Sequence, residues 1–262
     1  MFSAPSNAEA ADWVTAGMRN FDGTVGSIVP AGFGAYARVF HPASRRMGTG
    51  EVEVRWAEVA AANARVMHPA VEWGSLAGSW EAREQPGLWD QPPHTGELPE
   101  APATRLAAVL AKHTTSPECS YFALWDGVDT LGLMFSFSEG TPEDVKRRKR
   151  KAAEEEVTAW RELVQSGAAF TLPNREMRLL RGPLAAIEEF YAFYRHPPNL
   201  WWPEDRAWCV GTDVDLMSTY VGGSSASIGV VLADDGLESL PVSVDQRVTW
   251  DSDKVNPLPA PP

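Results

Sequence analysis

The sequence predicts an α+β fold, a mainly antiparallel sheet with flanking helices, in one compact domain over residues 1–255 with a Pro-rich tail at 256–262. Three observations carry this. The 262 residues are 44% hydrophobic and 22% charged, the balance of a globular chain long enough to build a core without disulfide or metal staples. Helix-period and strand-period segments are interspersed without the strict β-α-β alternation of a parallel sheet. No repeat is visible at solenoid or propeller periods.

Taken in order, "NAEAADWVTAGMRN" (7–20) reads as a helix with Asn7 as its N-cap. "VGSIV" (25–29) and "YARVF" (36–40) are strand-like and joined by a Gly-rich turn. "EVRWAEVAAANARVM" (53–67) is an Ala-rich helix stopping before His68-Pro69, since the residue before proline resists the helical region. Residues 74–102 read as a long ordered loop, and Trp80 and Trp89 within it imply packing onto the body. "ATRLAAVLAKHT" (103–114) places Leu106, Val109 and Leu110 on one helical face. "CSYFALWDG" (119–127) and "LGLMFSF" (131–137) form adjacent strands across an Asp-Gly turn.

The helix over 141–167 opens with Thr141 as N-cap, Pro142 at its first position and Asp144 as the acid of a capping box. "AAFTLP" (168–173) and "REMRLLRG" (175–182) are strands, and "PLAAIEEFYAFY" (183–194) is a helix. "AWCVG" (207–211) reads as a buried strand. "SASIGVVLADD" (225–235) is a helix capped by Ser224 or Ser225, and "RVTWDSD" (247–253) a last short strand.

Net charge is −12, a field that repels phosphate backbones and argues against nucleic acid as a partner. The acid is concentrated. From Pro203 onward ten Asp or Glu face Arg206, Arg247 and Lys254, a net of −7, which suits a protein partner with a basic surface. No apolar run reaches the roughly 20 residues of a membrane span. The opening "MFSAPSNAEAADWV" lacks a basic-then-apolar leader, so the expected compartment is the cytoplasm. Cys119 and Cys209, flanked by apolar neighbours, read as buried reduced thiols.

Candidate sites cluster in "PNLWWPEDRAWCVGTDVDLMSTYVGGS" (198–224), which holds Trp201, Trp202 and Trp208 of the chain's 11 tryptophans. In an extended segment Trp201 and Trp202 face opposite sides. One is then core, and the other an exposed aromatic platform beside Asp205 and Arg206. Trp208 and Cys209 are core. Gly222, Gly223 and Ser224 precede a helix start that could hold an anion on backbone N–H groups, and Ser224 serves equally as a structural N-cap. Asp213 and Asp215 form a same-side pair able to ligate Mg2+ or Ca2+ through oxygen, as do Asp251 and Asp253; turn-capping explains the same residues. "KRRKRK" (146–151) lies inside a predicted helix and reads as a solvated face paired with the glutamates that follow. The five histidines form no close pair, and no nucleophile elbow or cofactor fingerprint occurs.

"VGSIVPAGFGAYARVFHPA", "YFALWDG", "VTWDSDKVNP" and the tandem-Trp stretch resemble segments of a group of actinobacterial proteins with no assigned activity, and the similar segments are spread over most of the chain. That resemblance supplies no catalytic residues. "FALWDG", "FTLP" and "CVGTDVD" are similar to segments of the SUKH superfamily of immunity-type proteins. This likeness implies an acidic α+β binding protein that neutralises a basic effector.

The expected function is therefore a non-enzymatic binding or interaction protein, without cofactor, that uses an acidic, Trp-rich C-terminal surface. The alternative is a divalent-metal-dependent hydrolase or transferase built on Asp213 and Asp215.

Overall fold

The computed structural model describes residues 2–127, 142–191 and 197–260. Its elements are α1 (Asp12–Gly17), β1 (Ala35–Phe40), β2 (Ala43–Met47), β3 (Gly50–Val54), α2 (Trp56–Ala62), α3 (Trp73–Ala77), α4 (Glu100–Leu110), β4 (Ser120–Trp125) and α5 (Glu143–Ser166). There follow β5 (Ala168–Leu172), β6 (Arg175–Gly182), α6 (Ile187–Glu189), β7 (Leu200–Pro203), β8 (Trp208–Thr212), β9 (Ser218–Gly223), α7 (Ser225–Leu232) and β10 (Ser239–Val242). Eight strands form one sheet in the order β10-β1-β9-β8-β7-β4-β6-β5, every pairing antiparallel, and β2 with β3 makes a separate ribbon. The α+β expectation holds.

The central strands are apolar at consecutive positions because both faces of the sheet are covered. On one face Val39, Val221, Trp208, Val210, Trp201, Phe122 and Leu180 pack under Leu106 of α4, Trp160 of α5, Ile187 of α6 and Ile228 of α7. On the other, Trp202, Cys209, Met177 and Leu200 meet Val14 of α1, while Tyr36 and Tyr220 meet Val25 and Val29. A further cluster at the end of β1 joins Phe40 to Trp56, Trp73 and Trp89, whose rings stand 4.8–5.3 Å apart in a chain. The tryptophans of the 74–102 segment thus do pack onto the body: Trp89 is buried, and Trp80 stacks edge-on against Trp250.

Several local expectations are corrected. Residues 25–27 form a 3-10 turn, not a strand, because Val25 and Val29 both point onto the covered sheet face where strand alternation is not needed. The predicted helix from residue 53 begins only at Trp56. The residues before it belong to the β2–β3 ribbon, whose exposed, alternating side chains carried no strong apolar signal. Residues 247–253 make turns rather than a strand, and β10 lies earlier, paired with β1. The helix expected over 183–194 is present in the described residues as continuous helical turns over 184–191, opening 3-10 at Leu184–Ala186 and running through α6, and residues 192–194 lie outside the described residues. The strand expected over 131–137 and the Thr141 cap lie outside the described residues. α7 begins where expected, with the Ser224 hydroxyl accepting from the Ser227 N–H at 3.1 Å.

Candidate functional site

β7 is the fifth strand of eight, and its register with β4 sets Trp201 beside Phe122 and Trp202 beside Tyr121. The two tryptophans do face opposite sides. Neither is exposed: Trp201 is 3% and Trp202 1% accessible. Trp201 meets the Trp208 ring edge-on at 5.4 Å under the helical layer. Trp202 lies between Trp13 of α1 at 6.1 Å and Tyr121 at 5.9 Å. The expectation of an exposed aromatic platform is overturned, because α1 covers the face that a two-layer reading leaves open to water. Trp208 and Cys209 are fully buried as expected, and the Trp208 indole N–H donates to the Leu110 carbonyl at 3.1 Å.

Asp205 and Arg206 are exposed in the β7–β8 turn, away from any aromatic platform. The Asp205 carboxylate accepts from the Thr114 and Thr115 hydroxyls, both at 2.8 Å, and from the Thr115 N–H at 2.6 Å. Burial opposes its ionisation, but these bonds outweigh it and hold the carboxyl below its ordinary range. It pins the turn to the end of α4. Arg206 takes a left-handed φ of 57° and lays its guanidinium 5.9 Å from the Trp13 ring.

Gly222 and Gly223 are buried in β9 rather than presented to a ligand. A Cβ on Gly222 would sit 2.5 Å from the Phe33 ring, and one on Gly223 would sit 2.5 Å from the Ser227 hydroxyl. Their lack of side chain is a packing requirement, and Ser224 is a helix cap.

The aspartate pairs separate. Asp213 binds Arg175 at 2.7 Å through Oδ2 and accepts the Asp215 N–H at 3.0 Å through Oδ1, while the Asp215 side chain is exposed. Asp253 is buried on His68 (2.8 Å) and Asn256, whereas Asp251 accepts from the Thr249 hydroxyl at 2.6 Å. Among the described residues no group of three or more His, Cys, Asp or Glu is arranged to hold a metal ion, so the Asp213–Asp215 metal site is not assembled. Asp213 is instead charge-compensated by a guanidinium.

That ion pair stands at the rim of an apolar concavity. Arg175 opens β6 just after the Pro173-Asn174 turn, where Asn174 adopts φ 61°. Its guanidinium lies 4.9 Å from the Phe21 ring and 5.3 Å from Trp125 while it pairs with Asp213 at the end of β8. Beside it opens a shallow cleft lined with apolar Met18, Ile28, Leu172, Met177 and Leu200 and bordered by Asn199, Thr212 and Asp213. Phe21, 46% exposed, stands at its lip. Asn199, Leu200, Thr212 and Asp213 come from the stretch singled out in the sequence. Arg175, Phe21 and Ile28 were missed, since nothing local ties residues 21, 175 and 213 together.

Two buried polar networks lie elsewhere. The Arg38 guanidinium, 4% exposed, donates to Ser218 (2.9 Å) and to the Pro69 and Val71 carbonyls, and faces Glu72 at 3.5 Å and the Phe40 ring at 4.8 Å. Burial pushes Glu72 up to about 7, although Arg38 pulls the other way. His41, fully buried, sets Nδ1 2.7 Å from the His94 carbonyl, which requires the proton there; Nε2 then accepts from the Thr219 hydroxyl at 2.9 Å. Burial lowers His41 to about 4.

No helix among the described residues is long and apolar enough to cross a membrane. Comparisons with protein-family models, with curated proteins and with solved structures return no match.

Proposed function

We propose that this chain is a non-enzymatic binding protein that receives an apolar side chain of a protein partner in the cleft beside Arg175 and Asp213. The observation that carries the reading is that ion pair, held against Phe21 and Trp125 at the rim of an otherwise apolar concavity. The concavity is shallow and small, which suits one anchoring side chain better than a cofactor. The paired guanidinium and carboxylate offer both donors and acceptors, a match for the backbone flanking such an anchor. Exposed Asp22 and Asp215, next in sequence to Phe21 and next but one to Asp213, favour a partner with basic residues around the anchor. The SUKH-like segments point the same way.

The lining argues for binding over turnover. Among the described residues no histidine or cysteine borders the cleft, and its hydroxyls are engaged: Ser27 donates to the Thr24 carbonyl, and Thr212 bonds Thr219 at 2.7 Å. The test is to titrate the 15N-labelled protein with aromatic and aliphatic fragments and short Lys/Arg-flanked peptides. Shifts are expected to cluster at Ile28, Leu172, Asn199 and Thr212 and to vanish in Phe21→Asp. Binders that map elsewhere, or turnover in a broad substrate screen, would overturn the proposal.

A further inference from the structure

The β2–β3 ribbon leaves one edge open. Its strands are joined by the two-residue turn Gly48-Thr49, with Gly48 at a left-handed φ of 63°, and Ala43 and Val54 hold its base in the tryptophan cluster. The outer edge of β2 is already covered. The Ser44 N–H donates to the Gln91 carbonyl at 3.0 Å, the Ser44 carbonyl accepts from the Asp90 and Gln91 N–H groups, and the Arg46 N–H donates to the Asp90 carboxylate at 2.7 Å. Backbone groups of Ser44 and Arg46 therefore point away from β3. In an antiparallel pair the residues directly opposite point away on the other side, so Glu53 and Glu51 turn their N–H and C=O groups outward. Among the described residues these four groups have no hydrogen-bond partner, and Glu51, Val52 and Glu53 are all exposed.

The side chains along this edge define what fits it. Glu51 and Glu53 stand on one face of the ribbon. Val52, 47% exposed, stands on the other, diagonal to Met47 at 57%. Among the described residues neither carboxylate forms an ion pair, and Glu51 Oε2 lies 3.5 Å from the Ser44 hydroxyl.

We infer that the β3 edge takes an added strand from a protein partner, an extended segment in which Lys or Arg alternates with apolar residues. Laid antiparallel, the residues across Glu51 and Glu53 exchange both backbone hydrogen bonds with them and set cationic side chains against the carboxylates. The residue between them packs on Val52 and Met47. Charge selects this occupant. A second copy of the chain, adding its own β3 about a two-fold axis at Val52, sets Glu51 against Glu53 twice over, and like charges directly opposite destabilise. The carboxylates thus guard the edge against self-pairing while admitting a basic strand. None of the cleft's lining residues lies in the ribbon, so the surface is independent of the cleft.

The test titrates the 15N-labelled full chain with capped pentapeptides: Lys-Val-Lys-Val-Lys, the same peptide N-methylated at its lysines or at its valines, and Glu-Val-Glu-Val-Glu. Methylation at the lysines removes the N–H groups aimed at β3, and methylation at the valines removes those aimed away, with charge unchanged. The lysine peptide should shift the amides of Glu51, Val52 and Glu53 and bind more weakly in high salt. Methylation at its lysines should weaken it about tenfold or more, and methylation at its valines should not. Glu51→Lys with Glu53→Lys should reverse the preference toward the glutamate peptide, its amide spectrum checking the fold, while Phe21→Asp, at the cleft, should leave binding at β3 unchanged. No shift at millimolar peptide, shifts that map away from β3, or equal binding of the two methylated peptides (charge attraction without an added strand) refutes the inference. So does a wild-type chain that dimerises through Glu51–Glu53.

Discussion

Acidification should unfold this protein through His41. The side chain is fully buried, and the folded state holds it neutral with a pKa of about 4 against an ordinary 6.5, because burial penalises the imidazolium more than the His94 carbonyl supports it. Between those two values the unfolded chain binds the proton and the folded chain does not, so stability rises with pH across the window. The contribution is complete above about pH 6.5 and is lost as pH falls through 4. At 1.36 kcal/mol per tenfold change it amounts to about 3 kcal/mol. The assay is urea unfolding from pH 7 to pH 4 on the wild type and on His41→Gln, whose amide keeps hydrogen-bonding capacity but cannot titrate. Every carboxylate contributes equally to both proteins, so their difference isolates His41. The wild type should lose about 3 kcal/mol more than the variant over the window. Parallel pH profiles would mean that the imidazole is not buried neutral, and the reasoning would fail.

Four further outcomes are expected. Glu72 acts with the opposite sign: its folded value of about 7 lies above its ordinary 4.5, so its contribution is complete below pH 4.5 and lost as pH rises to 7, and the wild type should lose stability relative to Glu72→Gln across that range by denaturant titration. Trp202→Ala removes a ring packed between Trp13 and Tyr121 and should cost roughly 3–5 kcal/mol in chemical denaturation, where an exposed platform residue would cost almost nothing. Gly222→Ala drives a methyl into Phe33 and should cost about 1–3 kcal/mol, while Ser224→Ala loses only a helix cap, about 1 kcal/mol; equal effects would undo the packing account of the glycines. Asp213→Asn strands the Arg175 guanidinium and should cost about 1–3 kcal/mol by thermal unfolding, with no dependence on millimolar Mg2+ or Ca2+.

What the sequence determined by itself was what short-range chemistry encodes. The interspersed periodicities set the α+β class, the Ser224 cap marked the start of α7, and the apolar run of "AWCVG" marked a buried strand. The stretch around residues 198–224, read as the place of a candidate site, supplies three adjacent strands of the sheet. Exposure was decided elsewhere. One of Trp201 and Trp202 reads as an exposed platform until α1, some 190 residues earlier in the chain, covers Trp202 as the helical layer covers Trp201, and a covered ring and an open one have the same local sequence. Asp213-x-Asp215 likewise reads as a metal pair until Arg175 arrives from a different hairpin and neutralises one member. The cleft itself joins residues near positions 20, 175 and 210, and its shape is the space left when those segments pack. Propensity and periodicity act over a few residues. The desolvation and ion pairing that separate a site from a core act through space, and only the folded chain brings those partners together.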